Sequence, residues 1–259
     1  MNLFERTRDL IKGMFKVDLE VFIEAIRISP NTQGYILGAI SEYLLKLLLE
    51  SQGYELLRIM EKWKGTKVLR HHGDFYIRKK GSTRWYVLES KGLKSNSEGW
   101  HGLNKKPSLI RFLKTWNKTS RVFSTEKEIK EWCEANFESD LKKLRVKVLE
   151  THFVAGRSKQ RKIATSRNDE FDYVAVDLKL RTGKHEFIFA RPTDLPPSKD
   201  NPKHLQQNYV IDVMLQGKKE YLSITPPWYR KLDEIFDESK ASINENDMQI
   251  DDRVPFRVE

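Results

Sequence analysis

Apolar positions in the first fifty residues recur at helical spacing. Residues 3–28 read as an amphipathic helix, and Ser-Pro-Asn-Thr-Gln-Gly at 29–34 breaks it. Residues 35–50, YILGAISEYLLKLLLE, form a strong helix that Gly53 ends. At roughly 100° per residue, Ile36, Leu37, Ile40, Leu44, Leu47 and Leu48 make its main apolar stripe. Glu42 lies on the other side, with Leu45 and Leu49 following it, so this helix is covered on two sides. YELLRIMEKW leads into a sheet. From Gly73 to Lys91 the period drops to two: GDFYIRKKGSTRWYVLESK is a hairpin with Lys79, Lys80, Gly81 and Ser82 supplying the turn. A polar loop (92–107) follows, then helices at 108–116 and 125–137, a strand at 144–154 and a basic loop at 156–167. Residues 171–190 form a second hairpin turning at Thr182-Gly183, with Val174, Val176, Leu178, Leu180, Phe187 and Phe189 on one face. Residues 204–215 suit another strand, and the acidic SINENDMQIDD suits a surface or frayed segment.

That order predicts an α/β or α+β fold, with a mixed central β-sheet flanked by helices and a β-rich C-terminal elaboration. Residues 1–155 make the core with its N-terminal helices. Residues 156–259 make the β-rich part, packed on the same sheet in one structural domain.

The first hairpin poses a chemical question. If its loop is Lys80 to Thr83, then Ile77 faces Tyr86, Phe75 faces Leu88 and Asp74 faces Glu89. Phe75, Ile77, Tyr86 and Leu88 form one apolar face. Asp74, Glu89 and, one step along, Lys91 gather at the end of the other. Like charges placed opposite each other destabilise a sheet. A hard divalent cation such as Mg2+ offsets that repulsion, because it takes oxygen ligands. The ordinary alternative is a strand-edge aspartate beside a locally bridged Glu-x-Lys.

Composition narrows the partners. Lys and Arg number 47 against 37 Asp and Glu, so the net charge is +10. That balance suits an anionic partner without choosing between nucleic acid and an acidic membrane surface. Cys133 is the only cysteine, which excludes an internal disulfide framework and a cysteine-rich zinc site. No run reaches the roughly 18 apolar residues of a membrane span. MNLFERTRDLIKGMF is charged too early for a secretory signal, so a cytoplasmic protein is expected.

Gly73-Asp74, followed fifteen positions after the aspartate by Glu89-Ser90-Lys91 on the next strand, resembles the PD-(D/E)xK nuclease superfamily with its restriction-endonuclease-like fold. His72-Gly73 stands where the family name implies a proline. Glu42 occupies the place of a glutamate that many members carry on the helix before the first core strand. The resemblance covers residues 35–155 and leaves the C-terminal half aside. It implies a Mg2+-dependent endodeoxyribonuclease acting on double-stranded DNA, with Asp74, Glu89, Lys91 and Glu42 catalytic and Asp74 and Glu89 holding the metal. It also implies 5′-phosphate and 3′-hydroxyl ends. The metal would polarise the phosphate and lower the pKa of a bound water. Lys91 would hold that water or stabilise developing charge. Glu42 either reaches the metal or pairs with Lys46 at i+4.

Other chemistries fit less well. His71-His72 and His101 lack zinc-ligand spacing, and Arg-Thr-Gly-Lys at 181–184 lacks the phosphate-loop pattern. Two loops are candidates for DNA contact. Lys94, Trp100, His101, Lys105 and Lys106 follow the Glu-x-Lys strand, where the basic groups would take phosphates and Trp100 would stack or wedge. Arg157, Lys159, Gln160, Arg161, Lys162 and Arg167 form the second loop, whose Arg and Gln types read base edges. Gln206 and Gln207 are weaker candidates. The size suits a stand-alone type II restriction enzyme, and cutting both strands suits a homodimer. The alternatives are a structure-specific repair, recombination or phage-defence nuclease and a non-catalytic DNA-binding module.

Overall fold

The computed structural model describes residues 2–60, 70–93, 101–102, 127, 131, 145–153, 165–215 and 224–251. Asn2 opens the first helix, α1 (Leu3–Phe15), through a reciprocal cap with Glu5. Lys16 then adopts a left-handed conformation and ends it, so residues 3–28 are two helices, α1 and α2 (Leu19–Ile28). The Ser-Pro pair starts a helix here. Ser29 caps α3 (Pro30–Ser51) and Pro30 takes the first helical position, where its missing N–H costs nothing. Gly53, at φ 88°, turns the chain into the sheet.

Strands β1 (Tyr54–Arg58), β2 (Phe75–Lys79), β3 (Tyr86–Gly92), β6 (Tyr173–Asp177) and β7 (Phe187–Ala190) form a mixed five-stranded sheet in the order β1-β2-β3-β6-β7. Within this sheet, among the described residues, β3 and β6 run parallel and the other neighbours antiparallel. Strands β4 (His101–Gly102), β5 (Arg145–His152) and β8 (Asn208–Leu215) form a separate antiparallel sheet. A bridge between Leu93 and Thr151 joins the end of β3 to β5.

Phe75 pairs with Leu88 and Ile77 with Tyr86, the register of a four-residue loop. These four side chains pack with Leu45 and Leu49 of α3 and with Tyr173, Ala175 and Phe189. The opposite face is apolar too. Tyr76, Trp85, Val87, Val174 and Val176 are buried there with Leu149, Phe153 and Ile211 of the second sheet's strands and their flank. A sheet buried on both faces loses the clean alternation that marks a half-exposed one.

On α3, Leu45 and Leu49 are fully buried against the sheet, whereas Ile40 and Leu47 of the expected main stripe are exposed, as is Tyr43. The second hairpin also differs from expectation. A short helix, α4 (Lys179–Thr182), fills the connection, and Leu178 and Leu180 leave the strand. Val174 faces Ala190 and Ala175 faces Phe189, so Phe187 and Phe189 lie on the face away from Val174 and Val176. The acidic segment is not frayed. Ile243 bridges Trp85, Ile250 bridges Ile59, and the Gln249 N–H donates to Tyr76 Oη at 3.0 Å. The helices expected at 108–116 and 125–137 lie outside the described residues, apart from Lys127 and Glu131, which are both helical.

Candidate active site

Gly73 sets the geometry of the hairpin's open end. A Cβ there would overlap Val87 Cγ1 and lie 3.3 Å from the Leu88 carbonyl oxygen. Only glycine permits this approach. It lets the Asp74 N–H donate to the Leu88 carbonyl at 3.0 Å, extending the ladder one residue beyond β2. Asp74 Oδ2 then accepts the Ser90 N–H at 2.6 Å. Period-two alternation brings Asp74, Glu89 and Lys91 onto the face of Tyr76 and Val87. Lys91 Nζ donates to Glu89 Oε1, and the two side chains are only 21% and 13% exposed.

Glu42 reaches the same end of the sheet from α3. Its Oε2 accepts from Arg58 Nη1, at the end of β1, at 2.8 Å. Lys46 pairs with Glu50 at 3.7 Å instead, so the i+4 bridge offered for Glu42 is replaced by one to the sheet. Helical spacing cannot show this partner, because Arg58 is brought in by the turn at Gly53.

The electrostatics follow from this crowding. Burial raises the Asp74 pKa well above the carboxylate range, and repulsion from Glu89 and then Glu42 adds to it. Lys91 and the Ser90 N–H oppose the rise without cancelling it. Burial pulls the Lys91 pKa down, but attraction to Glu89, Asp74 and Glu42 outweighs it, and the net shift is upward. These carboxylates favour Lys91 as a cation, which can stabilise negative charge or orient a water.

One oxygen each of Asp74 and Glu89 makes no hydrogen bond among the described residues. No three His, Cys, Asp or Glu side chains close into a ligand cluster among those residues. Two crowded carboxylates nevertheless fit Mg2+, which commonly takes one or two and fills its remaining positions with water and phosphate oxygens.

A cleft of about 310 Å³ opens beside this centre. Gly34, Gly38, Ser41 and Glu42 of α3 form one wall, Ser90 to Leu93 the floor, and Asp177 and Lys179 the other wall. Asp177 pairs in register with Gly92. Its Oδ2 meets His185 Nδ1 at 2.5 Å, and its Oδ1 accepts the Lys179 N–H at 2.9 Å.

The remaining candidates separate. His72 is exposed, and His71 is tied to the Tyr76 hydroxyl at 2.9 Å. His101 lies in β4, not in a loop. Arg167 is exposed and ion-paired with Asp169, and Gln206 donates to the Pro196 carbonyl at 3.2 Å. Lys94, Trp100, Lys105, Lys106, Arg157, Lys159, Gln160, Arg161 and Lys162 lie outside the described residues. Sequence reasoning missed the close approach that Gly73 makes to Val87, and it missed Arg58, Ser41, Lys179 and the Asp177–His185 pair. Gly34, Gly38 and Ser41, spaced four and three apart in α3, were the one signal available in advance.

The chain matches no protein-family model, no curated protein and no solved structure.

Proposed function

We propose that the protein is a Mg2+-dependent endodeoxyribonuclease with a restriction-endonuclease-like core. The observation that supports this most is the gathering of Asp74, Glu89, Lys91 and Glu42 at one end of the sheet, where a half-buried carboxyl is repelled by two others. Side chains serving the fold alone avoid such repulsion. Asp74 and Glu89 would hold the metal, which supplies charge neutralisation at the phosphate and a water of lowered pKa. Lys91, held protonated, stabilises the charge that grows on the phosphate oxygens as water adds and the P–O3′ bond breaks. The 3′ oxygen leaves with a proton, and the phosphate stays on the 5′ end. Arg58 holds Glu42 at the rim, where it can orient the attacking water.

Purified protein is incubated with mixed plasmid and phage DNA, with and without Mg2+, and the ends are sequenced. Mg2+-dependent 5′-phosphate ends at one defined site support a restriction enzyme. Scattered or structure-linked ends favour a repair or phage-defence nuclease. DNA binding without cleavage under any divalent ion refutes catalysis and leaves the binding-module alternative.

Cutting both strands of a duplex calls for a second copy of the chain, and the N-terminal helices offer a surface for it. Ile36, Ile40, Tyr43 and Leu47 recur in the four-three-four spacing of a coiled-coil seam, on the side of α3 away from the buried Leu45 and Leu49. Ile40, Tyr43 and Leu47 are 44%, 61% and 43% exposed. Leu3, Phe4, Phe15, Val21, Ile23 and Ile28 of α1 and α2 are also exposed. Cations outnumber anions in α1 and its cap (Arg6, Arg8, Lys12 and Lys16 over Glu5 and Asp9). The reverse holds in α2 and its cap (Asp18, Glu20 and Glu24 over Arg27). A two-fold contact setting α1 against the α2 of a second copy would therefore be complementary in charge. Sedimentation tests it. Ile40→Glu with Tyr43→Glu gives a monomer from a wild-type dimer, and a monomeric wild type ends the idea.

A further inference from the structure

Part of the cleft takes no share in the hydrolytic centre. α3 turns Gly34, Gly38 and Ser41 toward it, and a Cβ on either glycine would meet no atom within 4 Å. The glycines leave a strip of helix wall open. Ser41 is 7% exposed, and its Oγ has no hydrogen-bond partner. A buried hydroxyl left unpaired is costly, and a ligand acceptor at the cleft would recover that cost. Across from it, the Lys179 ammonium makes no ion pair among the described residues. The other charged groups of the cleft have partners: Lys91 is paired with Glu89 and Glu42 with Arg58, and Asp177 is hydrogen-bonded to His185. What remains unmatched is one hydroxyl and one ammonium, a pair of donors suited to an anion.

We propose that this cleft seats one sugar-phosphate unit of a nucleic-acid strand next to the hydrolytic centre, with Ser41 Oγ and Lys179 Nζ donating to a non-scissile phosphate. Gly34 and Gly38 admit the sugar, and Leu37, Leu93 and Leu180 give it an apolar lining. A volume of about 310 Å³ lies at the small end of ligand sites, roughly 300–1,000 Å³. It suits a single nucleotide unit and excludes a duplex, so one strand enters and the other stays outside. The choice of ligand rests on the nuclease function proposed above, whereas the test below needs no cleavage.

The full chain, in EDTA, is titrated against a fluorescein-labelled thymidine tetranucleotide and followed by anisotropy. Lys179→Met weakens binding about tenfold or more, and Ser41→Ala about threefold or more. Gly38→Val fills the wall and weakens binding at least as much as Lys179→Met. Gly38→Ala raises the melting temperature, since alanine outranks glycine in a helix, and still weakens binding, a pairing of signs that a purely structural glycine would not produce. The same tetranucleotide with a neutral methylphosphonate backbone loses most of the affinity.

Binding unchanged in folded Lys179→Met and Gly38→Val overturns the proposal, even if Asp74→Asn abolishes cleavage and so upholds the nuclease. Inorganic phosphate binding as tightly as the tetranucleotide also overturns it, because no strand is then being held. Binding lost in the cleft variants of a protein that never cleaves DNA upholds the cleft and sinks the nuclease.

Discussion

Asp74 and Asp177 lie at the same end of one sheet, on either side of β3, and their surroundings are opposite. Asp177 is 4% exposed and fully answered, by His185 at one oxygen and the Lys179 N–H at the other. Among the described residues Asp74 accepts a single backbone N–H, and burial with repulsion from Glu89 and Glu42 drives its pKa up against the opposing pull of Lys91. A carboxylate that serves the fold finds its partners inside the fold. One that is left in repulsion points to a charge supplied from outside.

The largest expected effect is on chemistry. Asp74→Ala and Lys91→Ala each lower Mg2+-dependent cleavage by about 10³-fold and leave DNA affinity largely intact, measured by gel shift in Ca2+ or EDTA. Full turnover in Asp74→Ala removes Asp74 from the functional side of the contrast, and full turnover in Lys91→Ala refutes the role given to Lys91. Next is the metal itself. Mg2+ at a hundred times its Kd stabilises the wild type by about 2.7 kcal/mol. A thermal-shift titration shows this, and Asp74→Asn with Glu89→Gln abolishes it.

Gly73→Ala destabilises by about 1–3 kcal/mol through overpacking against Val87, and it lowers cleavage because Asp74 is pushed off the Ser90 N–H. Urea unfolding and a cleavage assay read the two effects. Asp177→Asn costs about 1–3 kcal/mol, by losing a charge-assisted contact to His185. Asp74→Asn does the reverse and raises stability in metal-free buffer. The same sign in both would erase the comparison.

The smallest effect is the pH slope. The folded protein binds the Asp74 proton more tightly than the unfolded chain does. Stability from this group is complete below about pH 3.9, the unfolded value. It then falls as pH rises and is lost above the raised folded pKa. Subtracting the Asp74→Asn curve from the wild-type curve, in urea titrations without metal, isolates that decline.

Much of this region is legible in the chain because its rules are local. Alternation in GDFYIRKKGSTRWYVLESK, with a four-residue loop, yields the pairing of Phe75 with Leu88 and so the neighbourhood of Asp74 and Glu89. The second hairpin is less legible, since α4 adds residues to the turn and so shifts the face on which Phe187 and Phe189 fall. In α3, nearly every side offers an apolar residue. Periodicity therefore does not choose between Ile40 and Leu45, and packing against Tyr54 and Phe75 does.

By itself the sequence determined the placement of an aspartate and a Glu-x-Lys on adjacent strands, of a glutamate on the preceding helix, and a net charge of +10. These follow from spacing, which the backbone repeats of strand and helix convert directly into side-chain direction. Tertiary structure alone decided that Glu42 takes Arg58 and not Lys46, that Gly73 must be a glycine, and that Asp177 is satisfied while Asp74 is not. Those are contacts between elements far apart along the chain. Their energies depend on distances that only packing sets.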